Sequence, residues 1–181
     1  MNNLKIRLFR RRDINEIAPI LMDKDLKHTH RGIYCSKSTD VERVIKFFLR
    51  DTNMQTYSIV LKENNERHVI GFIIVEYIEK QNKIFLSYAL NKEHRNKGIM
   101  TKTIKSMLKK ELEPYFKGTT VSMYIIPSNK ASIRVAEKIG AKRNLIYYEL
   151  QLWEFEVKLW ILFYIIGEFY NKNMIFYIII F

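Results

Sequence analysis

The 181-residue sequence predicts an α/β (α+β) domain: a central mixed, mostly antiparallel twisted sheet with helices on both faces. Three observations predict it. Residues 83–112 change from a period of two to a helical period across a short basic loop. Residues 119–140 repeat the order strand, turn, helix. Ahead of both, residues 55–62 and 69–75 read as strands joined at Asn64-Asn65, which with the strand from Lys83 makes three antiparallel strands in succession.

The elements follow in order. Leu4, Ile6 and Leu8 alternate with Lys5 and Arg7, as in an edge strand. Asp13-x-x-Glu16 reads as a capping box, and Pro19 predicts that the helix it opens is short, kinked or begins at Ala18-Pro19. Residues 23–37 are polar, a long loop or irregular helix. Thr39-x-x-Glu42 reads as a second capping box, and Val41, Val44, Ile45, Phe48 and Leu49 form an apolar stripe. Tyr57, Ile59 and Leu61 share a strand face, and the apolar run 69–75, broken only by Gly71, predicts a central strand.

In the next strand Ile84, Leu86, Tyr88 and Leu90 alternate with Phe85, Ser87 and Ala89. Residues 91–98 are polar and basic. Met100, Ile104, Met107, Leu108 and Leu112 then recur at helical spacing, with Lys102, Lys105, Lys109 and Lys110 largely off that face. A strand, a glycine-containing basic loop and a helix start together form an anion holder. First-turn N–H groups point at the ligand and the helix dipole favours negative charge. The loop lacks the lysine of a nucleotide P-loop, and Gly98 stands alone where a dinucleotide fingerprint needs three glycines. Residues 119–126 form the following strand, Pro127 breaks it, and Ser128 or Asn129 caps a helix that Gly140 ends. Asn129 and Ser132 share one face at its start. Residues 145–152 and 157–166 then read as two strands with a turn near residues 153–156. A single domain over residues 1–166 is expected, followed by an atypical apolar extension, 167–181.

The loop Arg95-Asn96-Lys97-Gly98-Ile99-Met100 resembles the Q/R-x-x-G-x-G/A acyl-CoA loop of the GNAT N-acetyltransferases, with Met100 where Gly or Ala is usual. Residues 129–140 resemble the N-x-x-S-x-x-V-x-E-K-x-G segment of the branch holding the RimJ/RimL-type ribosomal-protein N-terminal acetyltransferases. The constellation covers roughly residues 83–143 and is specific only as a whole. The resemblance implies the GNAT fold and a reaction in which a free amine attacks the acetyl-CoA thioester. It also implies residue roles. Tyr88, Ala89 and Leu90 would pair with the pantetheine arm and offer an N–H to the oxyanion. Arg95, Asn96, Lys97, Gly98, Ile99, Met100 and Thr101 would hold the pyrophosphate. Asn129 would bond the pantetheine arm. The tyrosine acid that many members carry seven residues after the asparagine is Ala136 here. The RimL-like branch uses a serine instead, and that resemblance makes Ser132 the candidate donor to the departing sulfur, with a bond to its own helix backbone as the alternative. Glu149 is the candidate base and Glu76 its rival. Tyr147 and Tyr148 either line the acceptor cleft or pack in the strand.

Composition narrows the partners. The net charge of +12, from 31 Lys+Arg against 19 Asp+Glu, suits CoA phosphates, a ribosome or another anionic surface, and a Lys-, Asn- and Ile-rich composition also accounts for it. No zinc-finger spacing or aromatic-basic repeat points to nucleic-acid reading. One cysteine, Cys35, excludes a disulfide framework, and His28, His30, His68 and His94 do not gather a metal set, so no metal is expected. The first thirteen residues are basic without an apolar stretch behind them, so a cytoplasmic protein is expected. The apolar runs 159–166 and 174–181 are too short to span a bilayer, and the second is expected to pack on the domain or form a dimer contact. Three functions compete: acetylation of a protein N-terminus, acetylation of a polyamine or aminoglycoside through an acidic cleft built from Glu76, Glu149 and the Asp23/Asp25 loop, and non-catalytic acyl-CoA binding.

Overall fold

The computed structural model describes residues 3–29, 33–49, 53–147 and 152–159. Strand β1 (Leu4–Leu8) leads through a 3₁₀ turn to α1 (Ile14–Leu21), α2 (Lys24–Thr29) and α3 (Ser38–Phe48). Strands β2 (Met54–Glu63), β3 (Glu66–Ile78) and β4 (Lys83–Leu90) follow, then α4 (Ile99–Met107), β5 (Thr120–Ile125), α5 (Lys130–Lys138), β6 (Lys142–Tyr147) and β7 (Leu152–Lys158). The seven strands form one sheet in the order β1-β2-β3-β4-β5-β7-β6. Every pairing is antiparallel except β4 with β5, which α4 connects. The predicted mixed, mostly antiparallel sheet is therefore present.

Two cores sandwich the sheet. On one face Ile84, Leu86 and Tyr88 of β4 and Val121 and Met123 of β5 pack with Met100, Ile104 and Met107 of α4 and Ile133 and Ala136 of α5. On the other, Phe72, Ile74 and Ala89 pack with Ile17 and Leu21 of α1 and Val44, Ile45 and Phe48 of α3. The predicted stripes of α3 and α4 are the buried ones. Asn64 and Asn65 both take positive φ (48° and 66°), as the two central residues of a tight hairpin require.

Both capping boxes form elsewhere than predicted, because their acidic residues have other partners. Asp13 does not cap α1 through its side chain. It takes a two-pronged ion pair from Arg7 (2.7 Å to each oxygen), the Ser58 hydroxyl (2.6 Å) and the Arg10 N–H (3.0 Å). Glu16 accepts the Val69 N–H of β3 at 2.9 Å. At α3 the reciprocal box joins Lys37 and Asp40, so the helix starts ahead of Thr39, while Glu42 pairs with Arg11 at 2.7 Å. Pro19 lies inside α1 without ending it. The carbonyl its ring leaves unbonded belongs to the exposed Asn15, where water can serve.

The closing hairpin is also earlier than predicted. Residues 153–156 lie within β7 and are not a turn. Phe155 joins the α4/α5 core and Trp153 and Val157 pack on it, while Glu154 and Glu156 alternate to the opposite face, where both reach Lys83 (3.1 and 2.6 Å). That ammonium makes acidic positions compatible with a strand. Residues 160–166 of the second predicted strand and the apolar extension 167–181, with its proposed dimer contact, lie outside the described residues.

Gly71 of β3 sets how closely β4 approaches. A Cβ there would fall 2.5 Å from the Ala89 carbonyl oxygen and 2.7 Å from the Leu90 side chain. β3 also bulges at Ile70, whose carbonyl takes the Asn91 N–H at 2.8 Å. Bulge and glycine together aim the end of β4.

Two predictions follow from these contacts. Gly71→Ala is expected to lower stability by about 1–3 kcal/mol, as overpacking does, read as a fall in the urea midpoint. Asp13 is 2% exposed; burial pushes its carboxyl up, and the bonds from Arg7, Ser58 and Arg10 more than reverse this, leaving its pKa below the ordinary value. Its contribution is thus present above the unfolded carboxylate value, about 4, and is lost as pH falls through the lower native value. Asp13→Asn is expected to destabilise by about 2–4 kcal/mol at pH 7, with a gap to the parent that narrows below about pH 4 in urea titrations.

Candidate active site

The sheet divides at one point. β4 and β5 pair only through Lys83–Phe85 and Thr120–Ser122, and beyond Phe85 the two parallel strands separate. Among the described residues the β5-facing edge of β4 from Leu86 to Leu90 therefore has no strand partner, and its backbone, apart from the Leu90 carbonyl that Arg95 occupies, is available to an extended ligand. The rings of Phe85 and Tyr124 stack at 5.2 Å on the α1/α3 face of this fork. On the other face the Tyr88 hydroxyl, from β4, donates to the Ser132 carbonyl of α5 at 3.4 Å. Burial pushes the Tyr88 phenol up to about 12, so it stays neutral.

The end of β4 runs into a loop that turns at two left-handed residues, Asn96 (φ 60°) and Gly98 (φ 73°). Gly98 is the N-cap of α4, and a side chain at this φ would be strained even though nothing crowds the position. Lys102 N–H is the first to reach back, to the Gly98 carbonyl at 3.1 Å. The N–H groups ahead of it have no intrahelical acceptors, which suits a diphosphate. Met100, the departure from the family loop, is 5% exposed and sits in the core with Ile104 and Met107. Its side chain therefore does not obstruct the loop.

On α5 the Asn129 side-chain oxygen caps the helix by accepting the Ser132 N–H at 3.1 Å, leaving its NH₂ group for a ligand. Among the described residues the half-buried Ser132 hydroxyl makes no bond back to its helix. Ala136, where the family tyrosine would stand, is wholly buried.

These pieces line one cleft of about 600 Å³. Tyr88, Ala89, Leu90, Arg95, Asn96, Gly98, Ile99, Met100, Thr101, Asn129 and Ser132 all border it. Lys97 does not; it lies exposed between the two left-handed residues. Glu76 is half-buried on β3, opposite Phe85, and does not line the cleft. Glu149 and Tyr148 lie outside the described residues, and of Tyr147 only the backbone is described.

Several other lining residues were not anticipated, although Asp25 was, as part of the Asp23/Asp25 loop. Arg134 and Lys138 bring two exposed cations to the cleft from α5, a pair whose i, i+4 spacing was visible in the sequence. Asp25, Leu26 and His28 form a wall on α2. Arg95 joins that wall to the loop, with 2.5 Å to Asp23, 2.8 Å to Asp25 and 3.0 Å from its Nε to the Leu90 carbonyl. The buried Nδ1 of His94 has no hydrogen-bond partner among the described residues, and His94 borders the same cleft. A β-strand edge, a free helix start and flanking cations fit an extended ligand with an amide-bearing arm and phosphates, the chemistry of acetyl-CoA. Among the described residues, no three His, Cys, Asp or Glu side chains gather as a metal set, and no helix is long and apolar enough to cross a membrane.

Known proteins carry the same architecture. No curated protein matches the sequence. The spermidine N-acetyltransferase of Vibrio cholerae, solved with CoA and spermine, superposes with a TM-score of 0.74 at 12% identity, over 88% of this chain and 97% of that one. The ribosomal-protein-S5-alanine acetyltransferase of Vibrio fischeri gives 0.60 at 18% identity, over 87% and 94%. An aminoglycoside acetyltransferase in complex with coenzyme A gives 0.67 at 18% identity, over 86% and 94%. At such identities the likeness is one of fold, and the three enzymes are named for three kinds of acceptor. The family model of the acetyltransferase (GNAT) domain matches residues 3–142. The chain belongs to the GNAT acetyltransferases, acyltransferases that use acetyl-CoA as acetyl donor.

Proposed function

We propose that the chain transfers acetyl directly from acetyl-CoA to the N-terminal α-amine of a protein, as in the RimJ/RimL-type branch that residues 129–140 resemble. The observation that carries the transfer chemistry is the fork between β4 and β5, continuous with the free start of α4. In the proposed reaction the pantetheine arm lies along the open edge of β4, the diphosphate on the N–H groups of residues 96–101, and the arm's amide against Asn129. The amine lone pair attacks the thioester carbon, and a β4 N–H near Ala89 or Leu90 stabilises the oxyanion. The C–S bond then breaks and the CoA thiolate takes a proton through the Ser132 hydroxyl, which regains one from solvent. The proton lost by the amine goes to Glu149, preferred over Glu76 because Glu76 does not border the cleft.

The choice of acceptor rests on charge. A polyamine or aminoglycoside needs unpaired carboxylates, and Asp23 and Asp25, two of those considered for such a site, are both ion-paired with Arg95. A purely acyl-CoA-binding role is not favoured by the cleft, which Met100 leaves open.

The test combines calorimetric titration of acetyl-CoA with thiol release on a panel of peptides with free N-termini. Binding with peptide-dependent release is expected; release only with spermidine or an aminoglycoside would move the acceptor to a small amine, and binding without any release would leave a binding module. Ser132→Ala is expected to lower kcat by about 10- to 100-fold and Glu149→Gln by about 100-fold. Neither is expected to change acetyl-CoA affinity by more than about 3-fold, a difference of roughly 0.7 kcal/mol.

A further inference from the structure

We infer that Arg95 is a positioning residue that fastens the α2 wall of the cleft to the end of β4, and that it leaves the CoA diphosphate to backbone N–H groups. The inference rests on the acetyl-CoA reading of the cleft. It differs from the pyrophosphate-holding role that the resemblance implies for Arg95.

The geometry of the guanidinium points this way. One N–H from each of its three nitrogens is committed: Nε to the Leu90 carbonyl (3.0 Å), Nη1 to Asp25 (2.8 Å) and Nη2 to Asp23 (2.5 Å). Leu90 ends the strand edge proposed to face the pantetheine arm. Asp23 and Asp25 belong to the start of α2, which lies about seventy residues earlier in the chain. A single side chain therefore joins two walls of the cleft.

Charge points the same way. An arginine that grips a diphosphate should keep its charge unopposed, whereas this one faces two carboxylates, and the trio carries a net negative charge. The contact with Asp23 is the sheltered one, with side chains 26% and 17% exposed, and Asp25 is the outer member, at 67%. Asp23 is itself braced, since its other oxygen accepts the Asp25 N–H at 3.0 Å and its carbonyl accepts the Leu26 N–H at 2.9 Å. Leu26 is buried behind it. The trio thus sets where α2, with its lining residues Leu26 and His28, stands relative to the loop.

The two possible roles of Arg95 predict opposite signs for one experiment. If Asp23 and Asp25 were bystanders beside a phosphate-binding arginine, removing their charges would tighten CoA, an anion. If the trio positions the cleft wall, the same change weakens CoA although it removes repulsion. Four proteins are compared: the parent, Arg95→Gln, the double variant Asp23→Asn/Asp25→Asn, and the triple variant. CoA affinity is measured by calorimetry, and α2 amide hydrogen exchange is measured without ligand.

The expected result is that Arg95→Gln and the double variant each weaken CoA by about 3- to 10-fold, or roughly 0.7–1.4 kcal/mol, and that the triple variant is no weaker than either. The Leu26 amide should exchange faster in all three by a similar factor. A double variant that binds CoA as tightly as the parent or tighter, with Arg95→Gln weakened, would overturn the inference and make Arg95 a phosphate ligand. Unchanged Leu26 exchange in Arg95→Gln would also overturn it. A parent that binds no CoA would sink the acetyl-CoA reading instead, while the exchange measurement still decides whether Arg95 holds α2. Should Arg95→Gln fail to fold, the more exposed Asp25→Asn is read in the same two assays. Glu42→Gln, which breaks the distant Arg11 pair, serves as the control for removing an acidic partner.

Discussion

The site depends on one constraint: β4 and β5 are parallel neighbours that share only three residue pairs before they part. A parallel pair inside a sheet normally continues, because every unpaired N–H and C=O left out of water costs free energy. Here the pairing stops at Phe85 and Ser122, and each strand beyond that point is held from its outer side, β4 by β3 and β5 by β7. The close approach allowed by Gly71 and the bulge at Ile70 keep the end of β4 against β3. The opening is therefore built into the packing of strands that are otherwise fully paired. The α4 loop and the α5 cap stand at its two rims.

Charge is handled locally in a chain with a large positive excess. Three half-buried cations each take two carboxylate oxygens. Arg7 grips both oxygens of Asp13 and ties β1 to the entry of α1. Lys83 lies between Glu154 and Glu156, which raise its pKa well above the ordinary lysine value and allow two glutamates on one strand face. Arg95 does the same between the loop and α2. Such sheltered pairs matter more for position than for net stability, because desolvation offsets much of the Coulomb attraction. The cations left to face the cleft, Arg134 and Lys138, come from α5 and not from the basic loop itself.

Much of this organisation was legible in residue patterns. Alternation marked β1, β2 and β4, a continuous apolar run marked β3, helical spacing marked α3 and α4, and Asn129 and Gly140 bounded α5, because these signals are local. The errors occurred where a local signal competed with a distant partner. Asp13 and Glu16 have the spacing of a capping box, yet Arg7, Ser58 and Val69 claim their oxygens. Glu154 and Glu156 made a strand resemble a turn, because Lys83, about seventy residues earlier, was not visible as their counter-ion. The Arg95 pairs and the Phe85–Tyr124 stack join residues far apart in the chain, and no spacing rule reveals them. Met100 departs from the family loop, and only its burial explains why that departure is tolerated.

The central claim is that the open edge of β4, the start of α4 and the cap of α5 together hold the acetyl donor. The most direct test is an amide NMR titration of the whole chain with CoA. The largest shifts are expected at residues 86–90, 96–101 and 129–132, saturating with a single binding constant. Saturable binding that leaves those three segments unmoved, or shifts confined to another face of the sheet, would contradict the claim.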